Sequence, residues 1–192
     1  MAAKSSGRKL RMESLEIRAL LDGNLAVSVV DGMLVAVGDD QANVVSIAQL
    51  APGPGSDGTL VPPGSFLVSP DSNTSVNGLA LGESLLLSQA TRGARIDLGG
   101  GSDRLTVRGF TDQPLGAFDV SVETGTGDDA LHIADFGLSR LRITSRQGSD
   151  HVSLDQVQAA DMYLKIEGIA GERSSVDLSN SVVEHKIDIR SL

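Results

Sequence analysis

Apolar and polar residues alternate along most of the chain after residue 23, as in Leu131-His132-Ile133 and Ile187-Asp188-Ile189. A period of two predicts strands with one face turned to a core and the other to water. Leu25 to Val30 and Met33 to Val37 flank Asp31-Gly32. That pair suits a two-residue type I′ turn, because both central positions need positive φ, so a hairpin is expected. A corner at Gly38-Asp39-Asp40-Gln41-Ala42-Asn43 leads into a further strand, Val44-Val45-Ser46-Ile47. Residues 52–74 hold five of the six prolines and read as an insertion or irregular rung with one short strand, Ser65 to Ser69.

From residue 94 the pattern repeats. Apolar positions before each turn, Ile96, Val120, Ile143, Ile166 and Ile187, are separated by 24, 23, 23 and 21 residues. Those after each turn, Leu105, Leu131, Val152 and Val176, are separated by 26, 21 and 24. Two interleaved series with one spacing predict a stacked array. The expected fold is therefore all-β: a short parallel β-helix, or solenoid, with about 21–26 residues per repeat. An antiparallel β-sandwich is the rival. Because the corners repeat as well as the strands, the solenoid is preferred. Residues 24–192 are read as one such domain. Residues 1–23 form a separate basic segment, in which Leu10, Met12, Leu15, Leu20 and Leu21 predict an amphipathic helix that would cap the open end of the solenoid.

The corners carry the candidate chemistry. Gly99-Gly100-Gly101-Ser102-Asp103, Gly125-Thr126-Gly127-Asp128-Asp129 and Arg146-Gln147-Gly148-Ser149-Asp150 each place an apolar residue two positions after the last Asp. The corner at Gly171 to Ser175 has lost the acid, whereas Gly38-Asp39-Asp40 keeps one. Glycine supplies positive φ, and Asp or Ser bonds nearby backbone, so a corner between strands needs both. Stacked corners would bring Asp103, Asp129 and Asp150 together. Their repulsion must be offset by water, a cation or backbone N–H groups. Asp103, Asp128, Asp129 and Asp150 are accordingly the candidate calcium ligands, although six to eight oxygens are needed and the corners supply few. No Gly-Lys-Ser/Thr follows the glycines, and a strand comes next, so a phosphate loop is the weakest reading of these corners.

Composition narrows the partners. The net charge is −9, with residues 1–20 at +3 and the remainder at −12. An acidic body of this kind disfavours nucleic acid. There is no cysteine and no Trp, one Tyr and four Phe, so the core is aliphatic and disulfides and thiol chemistry are absent. No run of 18 apolar residues predicts a transmembrane helix, and the basic start lacks the apolar stretch of a conventional signal peptide.

Two resemblances bear on these segments. Leu15, Glu16, Arg18, Leu20 and Leu21, after basic residues, resemble the N-terminal L-E-x-R-x-L-L motif of planctomycete surface and exported proteins, with Ile17 where proline is common. The resemblance covers about the first 22 residues and implies export or sorting to an extracytoplasmic, secreted or cell-surface location. In LGGGSDRLT, Gly99, Gly101, Asp103 and Leu105 match the G-G-x-G-x-D-x-U-x nonapeptide of calcium-binding repeats-in-toxin proteins. Gly125, Gly127, Asp129 and Leu131 match it in TGTGDDALH. That resemblance implies calcium between turns, but the nonapeptides of that family run in tandem and these are 21 to 26 residues apart.

Catalytic signals are weak. His132 and His151 follow corners and, with Asp129 and Asp150, would make a metal or acid–base cluster if they converged; the third histidine is His185. Glu123, Asp155, Lys165 and Arg142 do not define a polysaccharide-cleaving site, and scarce aromatics offer no sugar-stacking platform. The expectation is a non-enzymatic structural or adhesive module of an exported bacterial protein, with a protein or a surface polysaccharide as partner and no cofactor. A calcium-stabilised binding module is the alternative, and a small polysaccharide-active enzyme the third reading.

Overall fold

The computed structural model describes residues 23–55, 58–110, 118–167 and 172–191, and among them there is no helix. The expected N-terminal helical cap lies outside the described residues. The chain after it is a β-solenoid, and the sandwich alternative is set aside because its successive turns pair in parallel.

The first strands are β1 (Gly23–Val30), β2 (Met33–Val37) and β3 (Val44–Gln49). As the Asp-Gly turn predicts, β1 and β2 form an antiparallel hairpin, with Asp31 at φ 50° and Gly32 at φ 74°. An inserted segment then carries β4 (Gly53–Pro54), β5 (Leu60–Val61), β6 (Phe66–Pro70), β7 (Thr74–Val76) and β8 (Leu85–Leu87). The repeating part follows: β9 (Gly93–Asp97), β10 (Arg104–Arg108), β11 (Asp119–Gly125), β12 (Ala130–Ser145), β13 (His151–Ile166), β14 (Ser175–Ser179) and β15 (Val182–Ser191).

Each turn runs from a strand on one side, through a corner, to a strand on a second side. The first side stacks β2, β9, β11, the end of β12, the end of β13 and β15 in parallel. The second stacks β3, β10 and the starts of β12 and β13, then β14. A second corner follows the second side, where Asp135, Gln156 and Asn180 adopt φ 60°, 53° and 49°. These left-handed residues swing Phe136, Leu138, Val157 and Ala159 inward on a short third side.

The core is the stack of inward apolar positions, such as the columns Ile96–Val122–Ile143–Leu164 and Val45–Leu105–Leu131–Val152, all buried. At 25 cal/mol per Å² or so, each of these aliphatic side chains contributes roughly 1.5–3 kcal/mol. Three of the four phenylalanines tie the insertion to this core: Phe66 of β6 stacks on Phe118 at 5.6 Å, and Phe118 on Phe136 at 6.2 Å. The first turn is covered by strands: β1 lies antiparallel on β2, β6 antiparallel on β3, and β7 and β8 extend them. This covering shields the backbone edge at that end of the stack.

The first apolar series needs a correction. Ile96 is opposite Val122, not Val120, and Ile143 is opposite Leu164, not Ile166. Both shifts are by two residues, so each side chain keeps its face while its partner changes.

Candidate functional site

The corners bring Asp103, Asp129 and Asp150 into one column, as their spacing predicts, and bury all three to 2–3% exposure. Each carboxylate turns into the wall and accepts a backbone N–H from the previous turn. Asp103 Oδ1 accepts from Asn43 N at 2.7 Å, Asp129 Oδ1 from Asp103 N at 2.9 Å, and Asp150 Oδ1 from Asp129 N at 3.0 Å. Ser174 Oγ ends the column by accepting from Asp150 N at 3.1 Å. In return, the residue after each column member donates its N–H to the carbonyl one turn back: Arg104 to Asn43, Ala130 to Asp103, His151 to Asp129 and Ser175 to Asp150, all at 2.8 Å. The side chains thus supply the acceptor that the bent backbone cannot, and the column continues the sheet ladder around the corner.

Two members of this column were not legible from the acids alone. The first turn contributes the buried amide Asn43 rather than Asp39 or Asp40. Asn43 Nδ2 donates to Gln41 O at 2.8 Å. Asp39 instead lies outside the column and accepts from Gln41 N and Asn24 N. The last turn contributes Ser174. The signal that finds both is the apolar residue two positions on, Val45 and Val176, which stand in register with Leu105, Leu131 and Val152.

The column's electrostatics follow from its second oxygens. Ser145 donates to Asp150 Oδ2 across the corner. The corresponding residue, five before the acid, is Thr124 for Asp129 and Leu98 for Asp103. Leu98 has no donor to give, and the Oδ2 atoms of both Asp103 and Asp129 are buried without a hydrogen bond, as is Thr124 Oγ1. Burial pushes the Asp103 carboxyl up to about 7, with the neighbouring Asp129 charge adding to the rise and the Asn43 N–H opposing it. Burial also raises Asp129, to about 6, opposed by the Asp103 N–H and Thr124. The Asp150 carboxyl is raised as well, again chiefly by burial, with Ser145 opposing.

Glycines let the corners stack. A Cβ on Gly125, at φ 91°, would lie 1.7 Å from Gly99 O, and one on Gly127 would lie 2.0 Å from Gly101 O. Both the φ and the approach of the neighbouring turn exclude a side chain there.

Asp128, the fourth candidate ligand, stands apart from the column. It is exposed and accepts from Ser149 N at 2.8 Å. The histidines do not join the acids. His132 and His151 lie on the outer surface of the second side, where their Nδ1 atoms bond Ser153 Oγ at 3.3 Å and Ser175 Oγ at 2.8 Å. Asp129 and Asp150 face the other way, so the sheet separates the two sets. The side chain of His185 lies outside the described residues. Of the other candidates for polysaccharide chemistry, Glu123, Arg142 and Lys165 share the outer face of the first side, and Asp155 stands apart from them. Glu123 pairs with Arg146, Lys165 with Glu167, Arg142 covers the Tyr163 ring, and Asp155 on the second side accepts from Ser179. Among the described residues no three His, Asp or Glu side chains converge to hold a metal ion. No helix long and apolar enough to cross a membrane occurs among the described residues.

No family model matches this chain, and neither the curated proteins nor the solved structures show a significant match to it.

Proposed function

We propose that the chain is a non-enzymatic structural or adhesive module of an exported or cell-surface bacterial protein, working as a stiff stack that presents flat outer faces. The observation that carries this reading is the corner column. Its acids, the most concentrated chemistry in the sequence, are bonded to backbone N–H groups one turn away and buried. They act on the fold rather than on a ligand. The N-terminal resemblance to planctomycete exported proteins supplies the location.

The test is fractionation of planctomycete cells expressing the chain with and without residues 1–22. Recovery of the whole chain outside the cytoplasm, and retention of the truncated one inside, is expected. Cytoplasmic recovery of both would remove the surface reading.

A further inference from the structure

The outer face of the first side holds a groove of about 580 Å³ that the corners do not use. Its floor is Ser121, at the middle of β11. In register on the two neighbouring strands stand Arg95 and Arg142. They are two strand spacings apart, about 10 Å at the backbone, with the small serine between them. Along β11, Asp119 and Glu123 flank Ser121 by two residues each, on the same face.

The charges around this floor are only partly satisfied. Arg146 pairs with Glu123. Arg142 Cζ lies over the Tyr163 ring, 4.8 Å from its centre, a contact that engages the face of the guanidinium and uses none of its N–H donors on a carboxylate. Among the described residues Arg95, Arg140 and Arg142 have no carboxylate within ion-pair distance, although Arg140 is opposite Asp119 in register. Four guanidiniums against three carboxylates line the groove, on a chain whose overall charge is −9.

We propose that this groove binds a uronate-bearing polysaccharide strand, with one sugar carboxylate seated over Ser121 between Arg95 and Arg142. Arginine donors held on both sides of a gap suit a planar carboxylate. The neighbouring Asp119 and Glu123 are acceptors, so the rest of the ligand must donate hydrogen bonds and be sparsely charged. Sugar hydroxyls do this. A phosphate polymer would bring acceptors and dense negative charge against those same carboxylates. An extended peptide has no free sheet edge here to pair with, because β11 is hydrogen-bonded on both sides. Recognition rests on charge and hydrogen bonds, which fits a face whose one aromatic ring lies beneath an arginine. The inference depends on the reading of the chain as a binding or structural module rather than an enzyme.

The test is calorimetric titration of the full chain with a four-unit oligogalacturonate, its methyl ester and a tetraglutamate peptide, each at low salt and in 0.5 M NaCl. Saturable binding of the acid oligomer alone is expected, weakened in high salt by screening. A loss of about tenfold or more is expected in the exposed double variant R95Q/R142Q, with R104Q on the other side unchanged and melting midpoints equal. Absence of saturable binding, equal binding of peptide and saccharide, or full binding by the double variant would each overturn the proposal. New reducing or unsaturated ends in the titrated oligomer would overturn the non-enzymatic reading instead, which keeps the two failures apart.

Discussion

The Asp129 carboxylate accepts the backbone N–H of Asp103 at 2.9 Å, from one turn of the solenoid to the next. A residue 26 positions away along the chain thereby fills a hydrogen-bonding vacancy at a corner. The same arrangement recurs at Asp103 on Asn43 and Asp150 on Asp129. A charged acceptor strengthens each such bond, while burial beside other carboxylates raises the cost of the charge. The column is therefore held by its hydrogen bonds and opposed by its charges.

That opposition sets a pH dependence. Asp103 and Asp129 rise from 3.8 to about 7 and about 6 in the folded chain. Between pH 4 and 7 or so, the folded state binds more protons than the unfolded state, so stability falls as pH rises and levels off above that window. The thermal midpoint should be higher at pH 5 than at pH 8. A midpoint that rises with pH over this range would contradict the burial argument.

Asn43 shows the neutral solution to the same corner. Its amide sits at 0% exposure in the column with Asp103 as its neighbour. Asp103→Asn keeps the acceptor for Asn43 N–H, and its new amide N–H can meet Gly101 O as Asn43 Nδ2 meets Gln41 O. At pH 8 this variant should gain roughly 1–3 kcal/mol by removing a costly buried charge, and should flatten the pH profile. Asp103→Ala removes the acceptor as well as the charge, so it should lose roughly 1–3 kcal/mol at pH 5, where the carboxyl is protonated, and less at pH 8, where removing the buried charge offsets the unmet Asn43 N–H. Urea unfolding of the two variants at pH 5 and pH 8 separates the charge from the hydrogen bond.

Ser145 tests the second oxygen of the column. Ser145→Ala removes the donor to Asp150 Oδ2 and leaves that carboxylate in the state of Asp103 beside Leu98. A loss of about 1–2 kcal/mol is expected at pH 8. The loss should shrink as the Asp150 carboxyl becomes protonated at acid pH, since a protonated carboxyl asks less of its surroundings. A loss independent of pH would assign Ser145 to packing alone.

These corners also explain what could be read from the sequence. Leu105, Leu131, Val152 and Val176 are in register as their spacing predicts, because each lies two residues after a column member whose position is pinned by the next turn. The strands before the corners stand two residues from where equal spacing puts them, with Ile96 opposite Val122 rather than Val120. The unequal arcs before these strands cause the offset: 17 residues separate Leu105 from Val122 but 12 separate Leu131 from Ile143, whereas nine residues cross each corner from Ile96 to Leu105, Val122 to Leu131 and Ile143 to Val152. The third side is only weakly marked in the sequence. Its markers, Asp135, Gln156 and Asn180, recur at 21 and 24 residues, but Gln is a poor signal for a left-handed backbone. Asp128 and Asp129 are adjacent acids with opposite fates, one outside and one buried. Strand phase decides this, and the corner interrupts that phase. The Arg95–Ser121–Arg142 row was invisible because it joins three turns through register, not through a local motif.

Gly125 is the position where stacking leaves least room. A methyl group there would meet Gly99 O at 1.7 Å and sit on a backbone at φ 91°. Gly125→Ala should cost roughly 3 kcal/mol or more, since neither the carbonyl nor the turn can yield without breaking the ladder. Gly78 has φ 72° but nothing within 4 Å, so Gly78→Ala should cost only about 1 kcal/mol from backbone strain. Equal losses in denaturant unfolding would mean that backbone strain, not contact between turns, fixes the corner glycines.

Calcium provides the last test of the column. A calcium site needs six to eight oxygens in a wet or carbonyl-lined cage. At Asp103 and Asp129 one oxygen is already engaged by a backbone N–H, and the other is buried inside the wall. An ion entering there would have to displace backbone hydrogen bonds at successive corners. Thermal unfolding followed by circular dichroism should therefore give the same midpoint in EDTA and in millimolar calcium, for the wild-type chain and for Asp129→Asn. A midpoint that rises with calcium in the wild type and much less in Asp129→Asn would show that the carboxylates leave the wall to bind the ion. The corners would then be metal-ordered turns of the kind that the repeats-in-toxin resemblance implies. With equal midpoints, the glycines and aspartates serve the backbone alone, and the raised carboxyls of Asp103 and Asp129 are the cost of building a corner from acids rather than from amides such as Asn43.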